Sequence, residues 1–179
     1  MQTLASARGW STFAGLQVEY SLVQREVERG RIPMARGLGL GVLAWGPLGA
    51  GVLSGKYAHP DTPAAGRRLT DVDPGRLAIA RSVADIAAGL ELSSSVVALA
   101  WLRAQGSVIP ILGARTAQQL ADNLTCLDIN LPPDALAQLD QASPGWVLPV
   151  AGGTLAIVVG VLWYTSALWY YNGYRLPHL

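Results

Sequence analysis

The feature that most constrains this chain is a run of 34 residues without a charged side chain, from Gln141 to Tyr174. All 12 acidic residues lie at or before Asp140, and seven of the 13 aromatic residues lie at or after Trp146. Such a change of composition separates regions that meet different surroundings. It predicts two parts, residues 1–143 and residues 144–179.

The second part predicts a single transmembrane helix. Val147 to Leu168 is mostly aliphatic, and as a helix it would reach about 33 Å, the thickness of a bilayer core. Trp146 and the aromatic cluster from Trp163 to Tyr174 flank it, as expected at the two headgroup levels. A core helix is the alternative, but one that is apolar on all faces needs a large domain around it. Because Met1 to Leu22 lacks the apolar stretch of a signal peptide, any insertion signal is the C-terminal span itself. We expect a single-pass protein of a bacterial inner membrane.

Small residues recur along this predicted span. Gly152, Ala156 and Gly160 follow at intervals of four residues, so they share one helix face and let another helix approach closely. We expect this face to contact transmembrane helices of a larger complex, with plain anchoring as the alternative. The span contains no ionisable group other than tyrosine, which argues against ion transport.

Charge and ligand counts exclude two functional classes. The net charge is +1, which provides no field for nucleic acid. Cys126 is the only cysteine, and His59 and His178 are the only histidines, so we expect no metal site.

The first part predicts an α/β fold, because short apolar runs alternate with amphipathic helical ones. Strands are expected at Gly15–Tyr20, Gly39–Trp45 and Ser107–Leu112. Helices are expected from the serines at 93–95 to Ala104, from Thr116 to Leu124 and from Pro133 to Asp140, with a loop over Asp61–Gly75. The glycines from Gly37 to Gly41 lack the spacing of a dinucleotide fingerprint and are expected to enter the second strand.

Three stretches of this part resemble a known family. Gly9–Arg25, Ala44–Tyr57 and Ile109–Asn123 are similar, in order and spacing, to the last three βα units of the aldo/keto reductases. The likeness covers roughly Leu4 to Ala142. That family folds as a (β/α)8 barrel and reduces carbonyls with NADPH. The expected fold is therefore an incomplete α/β domain, made of the last βα units of such a barrel, followed by one transmembrane helix.

The resemblance implies part of an NADPH site. It assigns Gln17 to the nicotinamide amide, Trp45 to stacking on the nicotinamide ring, Leu48 to a backbone contact with the pyrophosphate, Arg115 to the 2′-phosphate, and Gln119 and Asn123 to the adenosine. A guanidinium suits a phosphate, and the N-terminus of the helix after Gly113 suits an anion.

The family's catalytic tyrosine, lysine, aspartate and histidine come from earlier strands, which the given sequence does not contain. Lys56 is the only lysine, and Tyr20 and Tyr57 belong to later motifs. We therefore expect no catalytic residue and no enzyme activity. An incomplete barrel also leaves two open sheet edges and an unfilled interior. Three alternatives stay open: the part dimerises, it pairs with a missing half, or it is a vestige removed near Pro144.

The tail suggests a function of its own. In its length, its histidine-free span and its aromatic end, it resembles the small γ polypeptides of purple-bacterial core light-harvesting rings. That resemblance implies a non-enzymatic accessory subunit that packs between pigment-binding helices, with bacteriochlorophyll nearby but not ligated by this chain. No cofactor is expected in this first interpretation. The alternative is a membrane-tethered partial aldo/keto reductase that retains part of an NADPH site.

Overall fold

The computed structural model of the chain describes residues 1–58 and 69–145. The chain divides into two units, Met1–Trp146 and Val147–Leu179. The second unit, which contains the predicted span and its small-residue face, lies outside the described residues.

The described part is built on a parallel sheet of three strands, β1 (Gly15–Glu19), β2 (Gly41–Trp45) and β3 (Val108–Pro110), in that order. In the register, Gln17 lies beside Leu43, and Val42 lies beside Val108. Parallel neighbours require long crossovers, and the helices supply them.

Six α-helices accompany the sheet in this part of the chain. They are α1 (Gln2–Ala7), α2 (Arg31–Gly37), α3 (Pro74–Gly89), α4 (Ser94–Ala104), α5 (Ala117–Leu124) and α6 (Pro133–Ala142). Side chains cap three of them: Asp73 accepts from the N–H groups of Gly75 and Arg76, Ser93 from Val96, and Thr116 from Gln119. These caps explain where the helices begin, since each satisfies donors that have no partner within the helix.

The core lies on one face of the sheet. Val18, Val42 and Val108 point to this face and are buried together with Val97 and Trp101 of α4. Burial of these apolar side chains is the main stabilising contribution, at about 25 cal/mol for each Å² removed from water.

Each of the three predicted strands is longer than the strand in the structure. The second begins at Gly41 rather than Gly39, because the N–H of Leu40 still bonds the carbonyl of Ala35 at 2.8 Å as α2 ends. The third ends at Pro110, although the N–H of Ile111 still bonds the carbonyl of Ala44 at 2.8 Å. The predicted ends of the helices at Ala104 and Leu124 are confirmed.

Two helix boundaries differ from expectation. The expected loop over Asp61–Gly75 falls outside the described residues up to residue 68, and its predicted end is two residues too late, because Asp73 caps α3 and Pro74 occupies its first position. The last helix continues to Ala142 rather than Asp140. Among residues 1–58 and 69–145, no single helix has the length and apolarity to cross a membrane; α3 and α4 meet those criteria only as a pair, with a 99° bend between them.

Candidate active site

The sheet carries an open face opposite the core. Side chains alternate along a strand, so the neighbours of the buried valines point the other way. This open face is defined by Gln17, Glu19, Leu43, Trp45 and Ile109. Ile109 is 61% exposed and Trp45 is 44% exposed. In a closed (β/α)8 barrel the face without helices points inward, and side chains of other strands fill it.

Two of the predicted cofactor residues lie on this open face. Gln17 belongs to β1 and is exposed, whereas Trp45 is the last residue of β2. Trp45 lies in register with Glu19, two residues after Gln17. An amide and an indole are therefore brought to neighbouring strands, near the edge where the strands end.

The turn after β2 has an unusual backbone. Gly49, Ala50 and Gly51 all have positive φ, at 55°, 57° and 95°. Glycine adopts this conformation readily, but for alanine it costs on the order of 1 kcal/mol. Strain of this kind concentrates where a backbone is shaped to approach a ligand. Leu48, expected to present its backbone to the pyrophosphate, is the residue immediately before this turn.

Leu48 also takes part in a contact between two loops. Its side chain packs with Leu112 around the buried cluster of Val96, Leu99 and Cys126. Leu112 follows β3, so the turn after β2 and the loop after β3 rest on a common support. Burial raises the pKa of the Cys126 thiol, against the opposing charge of Arg103, so this cysteine belongs to the support in its neutral form.

The start of α5 is organised by reciprocal hydrogen bonds. Thr116 Oγ1 accepts from the N–H of Gln119 at 3.1 Å, and Gln119 Oε1 accepts from the N–H of Arg115 at 3.0 Å. This is the arrangement of a capping box, extended by one residue. The side-chain oxygen of Gln119 therefore holds the backbone of Arg115, and Arg115 is an exposed residue that directly precedes the N-cap Thr116. Both features favour a phosphate group.

The last predicted contact differs from the others in its surroundings. Asn123 is only 9% exposed, so little of its side chain is accessible to a ligand. Three of the other predicted positions lie at one edge of the sheet, because the carboxyl ends of parallel strands meet there. The structure thus brings Trp45, Leu48 and Arg115 to that edge and places Gln17 on the open face below it.

Neither tyrosine in these motifs is arranged as a proton donor. Tyr20 points into the core and is 1% exposed, and its hydroxyl donates to Glu28 Oε1 at 2.7 Å. Burial, that hydrogen bond and the charge of Glu28 raise the pKa of Tyr20 above its ordinary value. Tyr57 is buried, and its hydroxyl accepts from the N–H of Leu69 at 2.8 Å.

Sequence reasoning missed Glu19. The alternation that places Gln17 on the open face also places Glu19 there, so the signal was present in the motif. Glu19 is partly buried, and its side chain lies over the backbone of Gly46. A Cβ built on Gly46 would be 3.6 Å from Glu19 Cγ and 3.7 Å from Oε1.

Comparison with known proteins shows the family to which this fold belongs. Residues 1–144 match the model of the aldo/keto reductase family. An uncharacterized oxidoreductase of Bacillus subtilis, YrpG, is 36% identical over 138 residues, covering 74% of this chain and 42% of the relative. The versiconal hemiacetal acetate reductase of Aspergillus parasiticus is 27% identical over 151 residues, covering 79% of this chain and 43% of the relative.

A solved structure shows the same fold. The aldo/keto reductase from Klebsiella pneumoniae, crystallised with NADP and acetate, superposes with a TM-score of 0.57 at 25% identity, covering 74% of this chain and 40% of the other. Residues 135–178 match a second model, a family of unknown function, DUF6529.

The chain belongs to the aldo/keto reductase family. Its fold is a part of that family's barrel, and the chain spans less than half the length of the curated relatives named above.

The first interpretation of its function was wrong. A light-harvesting accessory subunit of a membrane complex was predicted from the size and apolar character of the tail. Residues 135–178 match a family of unknown function, and the two relatives named above are an oxidoreductase and a reductase. The prediction of a non-enzyme is contradicted by the same relatives. The single-pass location, and the contact face of Gly152, Ala156 and Gly160, fall outside the described residues and stay predictions.

Proposed function

We propose that this chain forms the cofactor-binding side of an NADP(H)-dependent oxidoreductase that reduces carbonyl groups within a completed barrel. The carrying observation is that Gln17 and Trp45 share the open face, while Leu48 and Arg115 follow the carboxyl ends of β2 and β3. The Klebsiella relative in complex with NADP supports the choice of cofactor.

The residues fit this group chemically. Trp45 offers a large exposed aromatic surface for a planar ring, and Gln17 offers both a donor and an acceptor for a carboxamide. Arg115 and the α5 N-terminus offer a cation and free N–H groups for phosphate. When bound, NADPH supplies a hydride; the residues of this chain bind and orient it.

Binding to the 179-residue chain tests the proposal directly. Isothermal titration calorimetry with NADPH should give a dissociation constant on the order of 1–100 μM, the range of ordinary enzyme ligands. Trp45→Ala should weaken binding by about tenfold, since a stacked aromatic contributes roughly 1–1.5 kcal/mol. Trp10→Ala is the matched control, because Trp10 is 54% exposed and precedes β1. A chain that is folded by circular dichroism and binds no NADPH would contradict the proposal.

Activity is tested by completing the barrel. The chain should be fused behind the earlier βα units of the Bacillus subtilis relative, with which it shares 36% identity over 138 residues. Aldehyde-dependent oxidation of NADPH is expected from the fusion and should fall with Trp45→Ala. If the fusion folds and binds NADPH but reduces no carbonyl compound, the oxidoreductase part of the proposal fails.

A further inference from the structure

The open face carries one charged side chain whose place in the cofactor site is unassigned. Glu19 ends β1, lies in register with Trp45 and shares its face with Gln17. The two residues proposed to hold the nicotinamide therefore stand on either side of a carboxylate: Gln17 two residues earlier on the same strand, and Trp45 beside it on the next strand.

The surroundings of Glu19 favour an electrostatic role. Its side chain is partly buried against the backbone of Gly46, whose φ of +64° turns the chain away directly after Trp45. Within residues 1–58 and 69–145, the ion pairs are those that Arg25 makes with Glu28 and Asp140, so no basic side chain there lies within 4 Å of the Glu19 carboxylate. A charge that is partly desolvated and has no basic partner among these described residues acts on its neighbours more strongly than one in water.

The oxidised and reduced forms of the cofactor differ in the charge of the nicotinamide ring, which is the group expected beside Glu19. The nicotinamide ring is neutral in NADPH and carries one positive charge in NADP⁺, while the phosphates are the same in both. We infer that Glu19 sets the preference of the site between the two forms, by stabilising the oxidised ring that Gln17 and Trp45 hold. This inference rests on the proposed function, because it requires the nicotinamide to occupy the open face.

The expected effect is moderate. An interaction between a carboxylate and a ring cation across a partly hydrated site is consistent with a three- to tenfold change in binding. By linkage, the same ratio shifts the reduction potential of the bound cofactor, and tenfold corresponds to about 30 mV for two electrons.

The test compares both nucleotides on three proteins by calorimetry. Glu19→Gln preserves shape and removes the charge. It should weaken NADP⁺ binding by about three- to tenfold and leave NADPH binding within about twofold. Glu26→Gln is the control for net charge, because Glu26 is exposed on the turn Glu26–Arg29. Equal changes for both nucleotides, or no change for either, would overturn the inference while leaving the proposed function standing.

A second measurement needs no substitution. Raising the salt concentration from about 0.01 M to about 1 M shortens the Debye length from about 30 Å to about 3 Å. The phosphate contacts are common to both nucleotides, so their contribution cancels in the ratio of the two dissociation constants. A shift of that ratio in favour of NADPH binding at high salt therefore reports the charge of the ring alone. A ratio that is independent of salt and unchanged in Glu19→Gln refutes the role of Glu19. A folded chain that binds neither nucleotide overturns the proposed function, and this inference with it.

Discussion

Arg25 Nη1 donates to Asp140 Oδ1 at 2.9 Å, joining the loop after β1 to the last helix across 115 residues of sequence. The same guanidinium bonds both carboxylate oxygens of Glu28 and the carbonyl of Ser143, and it lies over the ring of Trp101. Burial alone would lower the pKa of Arg25, but the hydrogen bond with Glu28 and the charges of Glu28 and Asp140 outweigh this effect and raise the pKa above its ordinary value. Arg25 therefore stays charged and fixes the end of α6 against the sheet.

Removing this guanidinium should destabilise the domain. Arg25→Met keeps much of the apolar stem but leaves Glu28 without its cation, and we expect the free energy of unfolding to fall by about 2–3 kcal/mol. Chemical denaturation followed by circular dichroism measures it. Arg31→Met, at an exposed position of α2, should change stability by less than about 0.5 kcal/mol. Equal losses in the two variants would show that the network contributes nothing specific.

The turn after β2 should reject a side chain at Gly49. Its φ is +55°, and an added Cβ would lie 2.4 Å from Val23 Cγ2. Gly49→Ala should cost about 1–3 kcal/mol through strain and overpacking. Gly89→Ala is the matched control, since Gly89 ends α3 with nothing within 4 Å of the added atom, and alanine there should be neutral or stabilising. Thermal melts of the two variants compare them, and a stable Gly49→Ala protein would mean that the turn adjusts freely.

Discrimination between NADPH and NADH should depend on Arg115. If its exposed guanidinium binds the 2′-phosphate, Arg115→Gln removes a charge-assisted contact worth roughly 1.5–3 kcal/mol, or about ten- to 100-fold in NADPH affinity. NADH lacks that phosphate and serves as the internal control, with its affinity expected to change by less than about twofold. Parallel loss of affinity for both nucleotides would assign Arg115 to another part of the cofactor or to the structure of the loop.

Stability should fall in alkaline solution because of Tyr20. The folded state holds the pKa of this hydroxyl above its ordinary value, so above about pH 10 the unfolded state loses the proton first. Ionisation then stabilises the unfolded state, and the Tyr20 contribution to the unfolding free energy decreases by up to about 1.4 kcal/mol for each pH unit, whereas below pH 10 it is constant. Denaturation curves from pH 8 to about 11.5 measure this slope. Tyr20→Phe, which has no proton to lose, should be less stable at neutral pH but should show a shallower alkaline decline; identical slopes would exclude Tyr20 as the source.

Much of the local structure could be predicted from the sequence. The serines at 93–95 and Thr116 marked helix starts correctly, because a capping hydroxyl satisfies backbone N–H groups only a few residues away. The alternation of short apolar runs with amphipathic helical ones indicated the strands of an α/β fold, and three motifs indicated the aldo/keto reductase family. The ends of the strands were less predictable, since pairing stops where neighbouring backbone groups find other partners, as Leu40 does with Ala35.

The predicted function, a light-harvesting subunit, was wrong because it rested on the composition of the tail rather than on the ordered motifs of residues 1–143. An apolar, aromatic tail is compatible with many proteins, so its resemblance to the γ polypeptides rested on character alone. The reductase motifs span most of the chain and constrain residue types at fixed positions. These motifs carry more information about function than the composition of the tail does, and the comparisons with known proteins match the same region.

The sequence by itself determined the three strands, the helices α4, α5 and α6, and which side chains are chemically suited to a dinucleotide, because these depend on interactions within a few residues; α1, α2 and α3 were not predicted. Only the tertiary structure decided that Glu19 stands beside Trp45, that Leu48 and Leu112 share a support, and that Arg25 reaches Asp140. These contacts join segments 26 to 115 residues apart. They depend on strand register and on the helices covering one face of the sheet, and both result from burying apolar surface across the whole domain rather than from any local pattern.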